Sequence, residues 1–275
     1  MLKIAIITNI RKDIGLATAM KVASFLCNKA EVYMNQSTLL PQDFGVKYLP
    51  YDELWKVAEI AVVIGGDGTL LSVAPDCAKR SIPAIGINLG KVGFLTEIET
   101  QDLENALLSI LEGRYTTEKR MLLKLSINNE NASYHALNDI VVARAEGVKL
   151  VDVDLYTGNE HVYHYCADGL IIATPTGSTA YSISAGGPVV DPRMKLYVAT
   201  PICAHMLSAR SAVLPSDDEL IIKIAADNAV ISTDGEKQRF ISPDDVVRIS
   251  KSDYEFELIK IGNASFYKTL ASKLS

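Results

Sequence analysis

Residues 58–74 read AEIAVVIGGDGTLLSVA, and this stretch decides the fold of the first part of the chain. Its first half is a short apolar run, which is typical of a strand buried on both faces of a parallel sheet. Glycines then surround a single acid, Asp67, and the chain turns apolar again at once. Ligands of open α/β sheets bind where strands end, and glycine lets backbone amides approach an anion closely. The stretch indicates a phosphate-binding turn, although alone it also fits a tight turn whose aspartate caps the next helix.

Strand-like and helix-like patterns alternate over the first 115 or so residues. Such alternation predicts an α/β domain with an open, mainly parallel sheet. The clearest helix, 100–114, has Thr100 as a plausible N-cap and Gly113 just after its end. The predicted strands are 3–8, 59–64 and 82–88, and the other predicted helices are 13–29 and 70–79, the latter limited or kinked by Pro75.

The pattern changes near residue 116 to short strand-like runs separated by turn residues. Among these runs are LLKLSIN, ALNDIVVAR, LVDVDLYTG, EHVYHYCA, ELIIKIAA and VVRISKS. Their spacing predicts an antiparallel β-rich, sandwich-like domain. We therefore expect an α/β domain over 1–115, a β-rich domain over 116–250, and a tail over 251–275 that packs back on the first domain.

Composition narrows the class of protein. Of the 275 residues, 48% are hydrophobic and 22% charged, with 33 acids against 27 bases and a net charge of -6. This balance argues against nucleic-acid binding, which normally needs a basic surface. The 4 cysteines form no CxxC pair, so a disulfide framework or a structural zinc site is not expected. No apolar run reaches the roughly 18 residues of a membrane span, and we expect a cytoplasmic protein without a membrane partner.

Two further segments are candidates for a site: one follows a predicted strand and the other lies within one. GINLGKVGFL (86–95) is glycine-rich; Phe94 offers a face for a base and Lys91 a contact for phosphate. In LNDIVV (137–142), Asn138 and Asp139 are adjacent polar residues within an apolar strand, so at least one is expected to be buried and to need a partner. Taken alone, each segment also fits an ordinary loop or a satisfied polar pair.

The longest candidate segment is CADGLIIATPTGSTAYSISAGGPVVDP (166–192), which is dense in hydroxyls and glycines after a buried strand. Ser178, Thr179, Tyr181 and Ser184 supply donors and acceptors suited to ribose and amide groups, and Tyr181 adds a stacking face. A helix cap and loop rich in serine and threonine is the alternative.

Other residues point to ordinary structural roles. His161 and His164 lie three apart in a predicted strand, so we expect them on opposite faces and predict no metal pair. Trp55 is expected in the core. STDGE (232–236) is predicted to be a turn, and Asp234 matters for a site only if the fold brings it to one.

Together, in this order, GGDGT, NLGKVGFL, LND, DGLIIATPTGSTAYSISAGGP and the late STDGE resemble the NAD kinase family. The resemblance covers about residues 3–250. It implies transfer of a phosphoryl group from ATP, or from polyphosphate in some members, to the 2′-hydroxyl of the adenosine ribose of NAD, giving NADP. It also implies a divalent metal, usually magnesium, and a homodimer or homotetramer with sites shared across subunits.

The resemblance also assigns roles to individual residues, with no metal ligand among them. Asp67 is the implied proton acceptor. The implied substrate-binding residues are Gly66, Gly68, Phe94, Asn138, Asp139, Asp168, Thr179, Ala180, Tyr181 and Ser184. Asn138 and Asp139 would hold the adenosine portion, Asp168 would contact the nicotinamide end, and Thr179 to Ser184 would line the dinucleotide site.

The chain departs from the family pattern at three positions. Cys166 stands where many members have arginine, Asp139 where glutamate is frequent, and Glu236 where glutamine is common. These departures leave the preference for NAD or NADH open. Two other functions also stay open, a lipid kinase of the diacylglycerol type and an NAD-binding sensor without catalysis.

Overall fold

A computed structural model describes residues 1–90, 93–128, 130, 133–145, 149–206, 208–225, 229–262 and 265–274. The chain divides into two compact units. Met1–Lys119 and Phe256–Ser275 form the first unit, and Arg120–Glu255 forms the second. The last segment of the chain thus belongs with its beginning.

The first unit alternates strands and helices. Its strands are β1 (Lys3–Thr8), β2 (Glu31–Asn35), β3 (Lys47–Leu49), β4 (Ile60–Gly65), β5 (Ala84–Asn88) and β6 (Ile98–Glu99). Its helices up to residue 119 are α1 (Ala17–Leu26), α2 (Tyr51–Val57), α3 (Asp67–Leu71), α4 (Ala74–Lys79) and α5 (Leu103–Leu111).

The sheet of the first unit is parallel, in the order β5-β4-β1-β2-β3, with β6 also paired to β5. β4 is central, and every one of its residues is buried. One core cluster joins alternate strand residues such as Ile6 and Val62 to Ala23 of α1 and Leu107 of α5. A strand buried on both faces reads as an unbroken apolar run, which is why the sequence predicts β1, β4 and β5 well.

The second unit consists mainly of strands. They are β7 (Thr116–Ile127), β8 (Tyr134–Ala136), β9 (Asp139–Arg144), β10 (Val151–Thr157), β11 (Glu160–Ala167), β12 (Gly169–Ala173), β13 (Leu196–Ile202), β14 (Ala212–Pro215), β15 (Leu220–Ile224), β16 (Ala229–Thr233), β17 (Glu236–Ile241) and β18 (Val247–Lys260). β7 begins in the first unit and β18 ends there, and the short helix α6 (Tyr181–Ser184) follows β12.

Two antiparallel layers make up the second unit. One is a six-stranded sheet in the order β14-β13-β12-β9-β16-β17, and the other pairs β11, β10, β15 and β18 in sequence, with β7 on β18 and β8 on β7. Side chains from both layers, such as Leu123, Leu155, Ile172 and Tyr197, share one buried cluster. This is the predicted sandwich-like architecture, so the predicted fold class is confirmed.

The helix ends differ in detail from the sequence prediction. The predicted helix 13–29 becomes a 3-10 turn followed by α1, because Asp13 accepts hydrogen bonds from the N–H groups of Thr18 and Ala19. The segment predicted as one helix, 70–79, contains the end of α3 and then α4, whose first turn holds Pro75. Thr100 is not an N-cap; it opens a 3-10 turn that precedes α5.

The chain end forms α7 (Phe266–Leu274), where helical spacing was predicted. β18 pairs with β15 at its start, and Leu258 near its end pairs in parallel with Ala84 of β5. The Trp55 side chain is buried in the first unit, as expected.

Candidate active site

Asp67 lies at the carboxyl end of the central strand β4 and is the first residue of α3. Its carboxylate does not cap that helix. Oδ2 accepts a hydrogen bond from the Phe94 N–H (2.9 Å). Oδ1 accepts three, from the N–H groups of Leu95 (3.2 Å) and Thr96 (2.9 Å) and from the Thr96 hydroxyl (2.8 Å). The acid between the glycines therefore fixes the loop that follows β5.

The loop over residues 93–96 fits Asp67 closely. A Cβ on Gly93 would lie 1.8 Å from Asp67 Oδ1, so only glycine leaves room for the carboxylate there. The buried Thr96 hydroxyl also accepts a hydrogen bond from Asn88 Nδ2 (2.9 Å) at the end of β5. The GGDGT and NLGKVGFL segments thus meet through direct contacts within the first unit.

Phe94 is half-buried and already has neighbours within its unit. Its ring centroid is 6.1 Å from that of Phe266 on α7, and the Lys273 ammonium lies 4.6 Å from the ring centre. Residues of α7 therefore cover part of the surface that the sequence offers to a base. Lys91, suggested as a phosphate contact, lies outside the described residues.

Asp234 organises the candidate residues of the second unit. It sits in the turn between β16 and β17 at φ 48°, followed by Gly235 at φ 83°. Its carboxylate accepts hydrogen bonds from three consecutive backbone N–H groups, those of Leu137 (2.7 Å), Asn138 (2.8 Å) and Asp139 (3.1 Å). The STDGE turn is thus part of the Asn138–Asp139 corner, a role that the sequence raised only as a condition.

Asp139 is buried, with 5% of its surface exposed. Burial raises the pKa of its carboxyl to about 7, and the negative charge of Asp234 adds to the rise. Burial also raises the pKa of Asp234, although its three N–H donors work in the opposite direction. The corner therefore holds two acids that resist ionising together.

The TPTGS segment packs directly on this corner. The Thr174 hydroxyl donates to the Leu137 carbonyl (2.6 Å), and the Thr174 N–H donates to the Asn138 carbonyl (2.8 Å). A Cβ on Gly177 would lie 2.0 Å from the Asn138 carbonyl oxygen, so this close approach requires glycine. Three of the predicted motifs, LND, TPTGS and STDGE, are brought together in the second unit.

The hydroxyls that follow have different environments. Ser178 is fully buried, and its Oγ donates to the Pro175 carbonyl (2.7 Å) and accepts from the Val190 N–H (3.0 Å). Its predicted role as a ligand donor is therefore wrong, because its bonding capacity is used inside the fold. Thr179 and Ala180 are half-buried, whereas Tyr181 and Ser184 are exposed one helical turn apart on α6.

Asp168 has a cationic partner that the sequence does not reveal. Arg144 Nε lies 3.2 Å from Asp168 Oδ1, and the Arg144 N–H donates to the Asp168 carbonyl (3.0 Å). Arg144 of β9 therefore supplies positive charge beside Asp168, although position 166 holds a cysteine and not the arginine of many family members. The Cys166 thiol instead forms a hydrogen bond with Asp152, and this hydrogen bond raises the pKa of the thiol.

His161 and His164 do not lie on opposite faces, so that prediction is wrong. The register between β10 and β11 shifts at Leu155/Tyr156, where Tyr163 pairs with Leu155 and His161 with Tyr156. The extra residue, Val162, brings both imidazoles to Asp154, with His161 Nε2 and His164 Nδ1 each 3.0 Å from Oδ1. A β-bulge of this kind is invisible in residue spacing.

Within the part of the chain that the structure describes, no group of three or more His, Cys, Asp or Glu side chains is arranged to hold a metal ion. Among the same residues, no helix is long and apolar enough to cross a membrane.

Comparison with protein families gives two matches, one in each half of the chain. Residues 4–115 match the model of the ATP-NAD kinase N-terminal domain, and residues 137–261 match that of the ATP-NAD kinase C-terminal domain. Two similar relatives are NAD kinases. The one from Caldanaerobacter subterraneus subsp. tengcongensis is 38% identical over 100% of this chain and 99% of its own length. The one from Legionella pneumophila is 37% identical over 89% of this chain and 85% of its own.

Two solved structures share the fold. Yeast NADH kinase complexed with NADH superposes with a TM-score of 0.90 at 23% identity, covering 100% of this chain and 87% of that one. An NAD kinase from Archaeoglobus fulgidus in complex with ATP superposes with a TM-score of 0.80 at 25% identity, covering 99% of this chain and 98% of the other.

Proposed function

The chain belongs to the NAD kinase family, and from this premise we propose that it phosphorylates NAD with ATP. The γ-phosphoryl group of ATP passes to the 2′-hydroxyl of the adenosine ribose, giving NADP and ADP. Relatives that match the whole chain, and an ATP complex of a similar structure, support this reaction. Polyphosphate is the alternative phosphoryl donor for the same chemistry.

The observation that carries the proposal is the unequal use of the two Asp67 oxygens. Oδ1 accepts three hydrogen bonds from described residues, whereas Oδ2 accepts one. With a single donor among the described residues, Oδ2 keeps acceptor capacity for a ribose hydroxyl. The remaining bonds hold the carboxylate still, which favours proton transfer at a fixed position.

The reaction balances with Asp67 as proton acceptor. The 2′-oxygen forms a bond to the γ-phosphorus, the bond from that phosphorus to the β,γ-bridging oxygen breaks, and ADP leaves with the electron pair. The hydroxyl proton passes to Asp67 Oδ2. Because a ribose hydroxyl is a very weak acid, the proton moves late, as a loose phosphoryl-transfer transition state permits.

The remaining residues have binding roles in the proposal. Gly66 and Gly68 leave space for phosphate beside Asp67, and Phe94 contributes to the same pocket. Asn138 and Asp139 bind the adenosine portion, and Asp168, paired with Arg144, contacts the nicotinamide end. Thr179, Ala180, Tyr181 and Ser184 line the dinucleotide site, a role that the exposure of Tyr181 and Ser184 supports.

Magnesium is the proposed divalent metal, and the side chains of this chain that could ligate it decide whether a dedicated site exists. The described residues offer no cluster of three ligating side chains, so they do not fit a dedicated protein site. Magnesium instead commonly keeps several waters and binds substrate phosphates, with only one or two carboxylates. We assign no residue of this chain to it.

Assembly and location complete the proposal. We propose a homo-oligomer, a dimer or a tetramer, with binding residues shared across subunits, and a cytoplasmic protein. Sedimentation of the purified chain and fractionation of its host cells would test these two points separately.

The direct test is a product assay. Purified protein is incubated with ATP, magnesium and NAD, and NADP is measured with an NADP-specific dehydrogenase. NADP formation that requires all three components supports the proposal. No NADP but calorimetric binding of NAD would favour the sensor, and phosphorylation of diacylglycerol would favour the lipid kinase.

A further inference from the structure

We propose that the ammonium group of Lys12 binds the phosphate chain of the ATP donor beside Gly66. This would make Lys12 a further substrate-binding residue, in a loop to which the sequence assigns no function. The inference rests on the proposed function, because it names a contact of that reaction's donor.

The backbone around Lys12 is fixed against the GGDGT turn. The Lys12 N–H donates to the Asn9 carbonyl (2.9 Å) and to Asn9 Oδ1 (3.3 Å). Asn9 in turn donates from its backbone N–H to the Ile64 carbonyl (2.9 Å) and from Nδ2 to Thr69 Oγ1 (3.2 Å). The loop after β1 is thereby tied both to β4 and to α3, on either side of Asp67.

The side chain of Lys12 reaches over the turn itself. A Cβ on Gly66 would lie 3.2 Å from Lys12 Nζ, so the ammonium stands beside the glycine that directly precedes Asp67. Gly68, two residues on, is exposed, and no described residue has an atom within 4 Å of a Cβ added there. A phosphate chain that approaches these glycines would therefore meet Lys12 Nζ.

Lys12 also lines a cavity of about 310 Å³ at the carboxyl ends of β1 and β5. Its other polar lining residues are Asp13, Thr18, Asn88, Glu99 and Thr100. This volume is near the lower end for ligand pockets, so it suits part of a ligand, such as a chain of phosphates.

The charges around the cavity leave Lys12 available. Lys12 forms no ion pair with any residue that the structure describes. The carboxylate of the neighbouring Asp13 is occupied by other partners, because it accepts hydrogen bonds from the Thr18 and Ala19 N–H groups and from the Thr8 hydroxyl. Glu99 is exposed and accepts a hydrogen bond from Gln101. Among the described residues of this lining, Lys12 is therefore the cation.

The test compares Lys12→Gln and Lys12→Arg with the wild type and with Lys29→Gln, a matched change of an exposed lysine beyond the other end of α1. A charge-assisted phosphate contact corresponds to roughly 10–100-fold in affinity. We expect Lys12→Gln to raise KM for ATP by about that factor and to leave KM for NAD nearly unchanged. Lys12→Arg should recover much of the loss, and Lys29→Gln should match the wild type.

Inorganic tripolyphosphate serves as a probe of the phosphate contact alone. It should inhibit the wild type competitively with ATP, and the Lys12→Gln variant about tenfold less strongly. If the wild type forms NADP but Lys12→Gln keeps both the wild-type KM for ATP and its inhibition by tripolyphosphate, the assignment of Lys12 is wrong while the proposed function stands. If the wild type forms no NADP, the proposed function itself fails.

Discussion

At the scale of single residues, Asp67 combines two tasks that are usually separate. The four hydrogen bonds that it accepts from described residues make it an anchor for residues 94–96, and the second lone pair of Oδ2, which none of those bonds uses, makes it a candidate proton acceptor. A substitution at this position therefore changes both structure and chemistry. An informative test has to measure the two effects separately.

We predict that Asp67→Asn loses both stability and turnover. If the amide nitrogen takes the place of Oδ2, it faces the Phe94 N–H, so two donors oppose each other and one hydrogen bond to a charged acceptor is lost. This should lower the free energy of unfolding by about 1–3 kcal/mol. Loss of the proton acceptor should lower kcat by roughly 10²–10⁴-fold. Urea unfolding and NADP formation measure the two effects.

Thr96→Val is the matched control for this change. It removes one hydroxyl donor to the same carboxylate but leaves the acid in place. We expect a comparable loss of stability with a much smaller loss of turnover. Equal losses of kcat in Asp67→Asn and Thr96→Val would show that Asp67 acts only as an anchor.

The second residue-scale prediction concerns Asp139 and pH. The pKa of its carboxyl is about 7 in the folded chain against an ordinary value of 3.8, because it is buried and faces Asp234. The folded state thus favours the protonated form. The stability that this form contributes is full below about pH 4 and is lost as pH rises through 7.

We therefore expect Asp139→Asn, which is neutral at every pH, to reduce the loss of unfolding free energy between pH 5 and pH 8. Chemical denaturation at the two pH values measures this difference. Asp253→Asn, at an exposed acid of the same unit, should leave the difference as in the wild type. An Asp139→Asn variant with the full wild-type loss would contradict the ionisation assigned to Asp139.

At the scale of elements, the sequence predicts those strands and helices whose hydrophobic spacing is visible within one short stretch. β1, β4 and β5 are apolar runs because both their faces are buried, and α7 follows from its helical spacing. β17, with the sequence EKQRFI, is not apparent because its residues are mostly polar. The bulge at Val162 and the pairing of Arg144 with Asp168 depend on register between strands, which no single stretch of sequence specifies.

The loop after β5 gives a prediction at this scale. Gly93→Ala would place a methyl group 1.8 Å from Asp67 Oδ1, whereas the nearest atom to the same group at Gly90 is 3.8 Å away. Because Gly93→Ala must displace Asp67 from its hydrogen bonds, we expect an unfolding free energy lower by roughly 2–4 kcal/mol and little NADP formation. Gly90→Ala, three residues earlier in the same loop, should have a free energy of unfolding within about 1 kcal/mol of the wild-type value. Similar stability of the two variants would mean that the loop does not depend on the Asp67 contact.

At the scale of the whole molecule, the chain ends by returning to its first unit. Residues from Phe256 onwards belong with residues 1–119, and they bring β18 to β5 and α7 to Phe94. The sequence motifs place Asp67, but they do not show that its loop is supported from the far end of the chain. That support depends on packing between segments more than 160 residues apart, Phe94 and Phe266 among them.

We predict that Phe266→Ala loosens the loop that Asp67 holds. Loss of a half-buried aromatic partner should reduce stability by about 1–3 kcal/mol. Because Phe94 donates its N–H to Asp67 Oδ2, the amides of residues 94–96 should exchange with solvent faster, and hydrogen exchange followed by mass spectrometry can measure this. Lys268→Ala, an exposed position on the same helix, is the control and should leave the exchange unchanged. If Phe266→Ala lowered stability without faster exchange at 94–96, α7 would support the unit as a whole and not the Asp67 loop in particular.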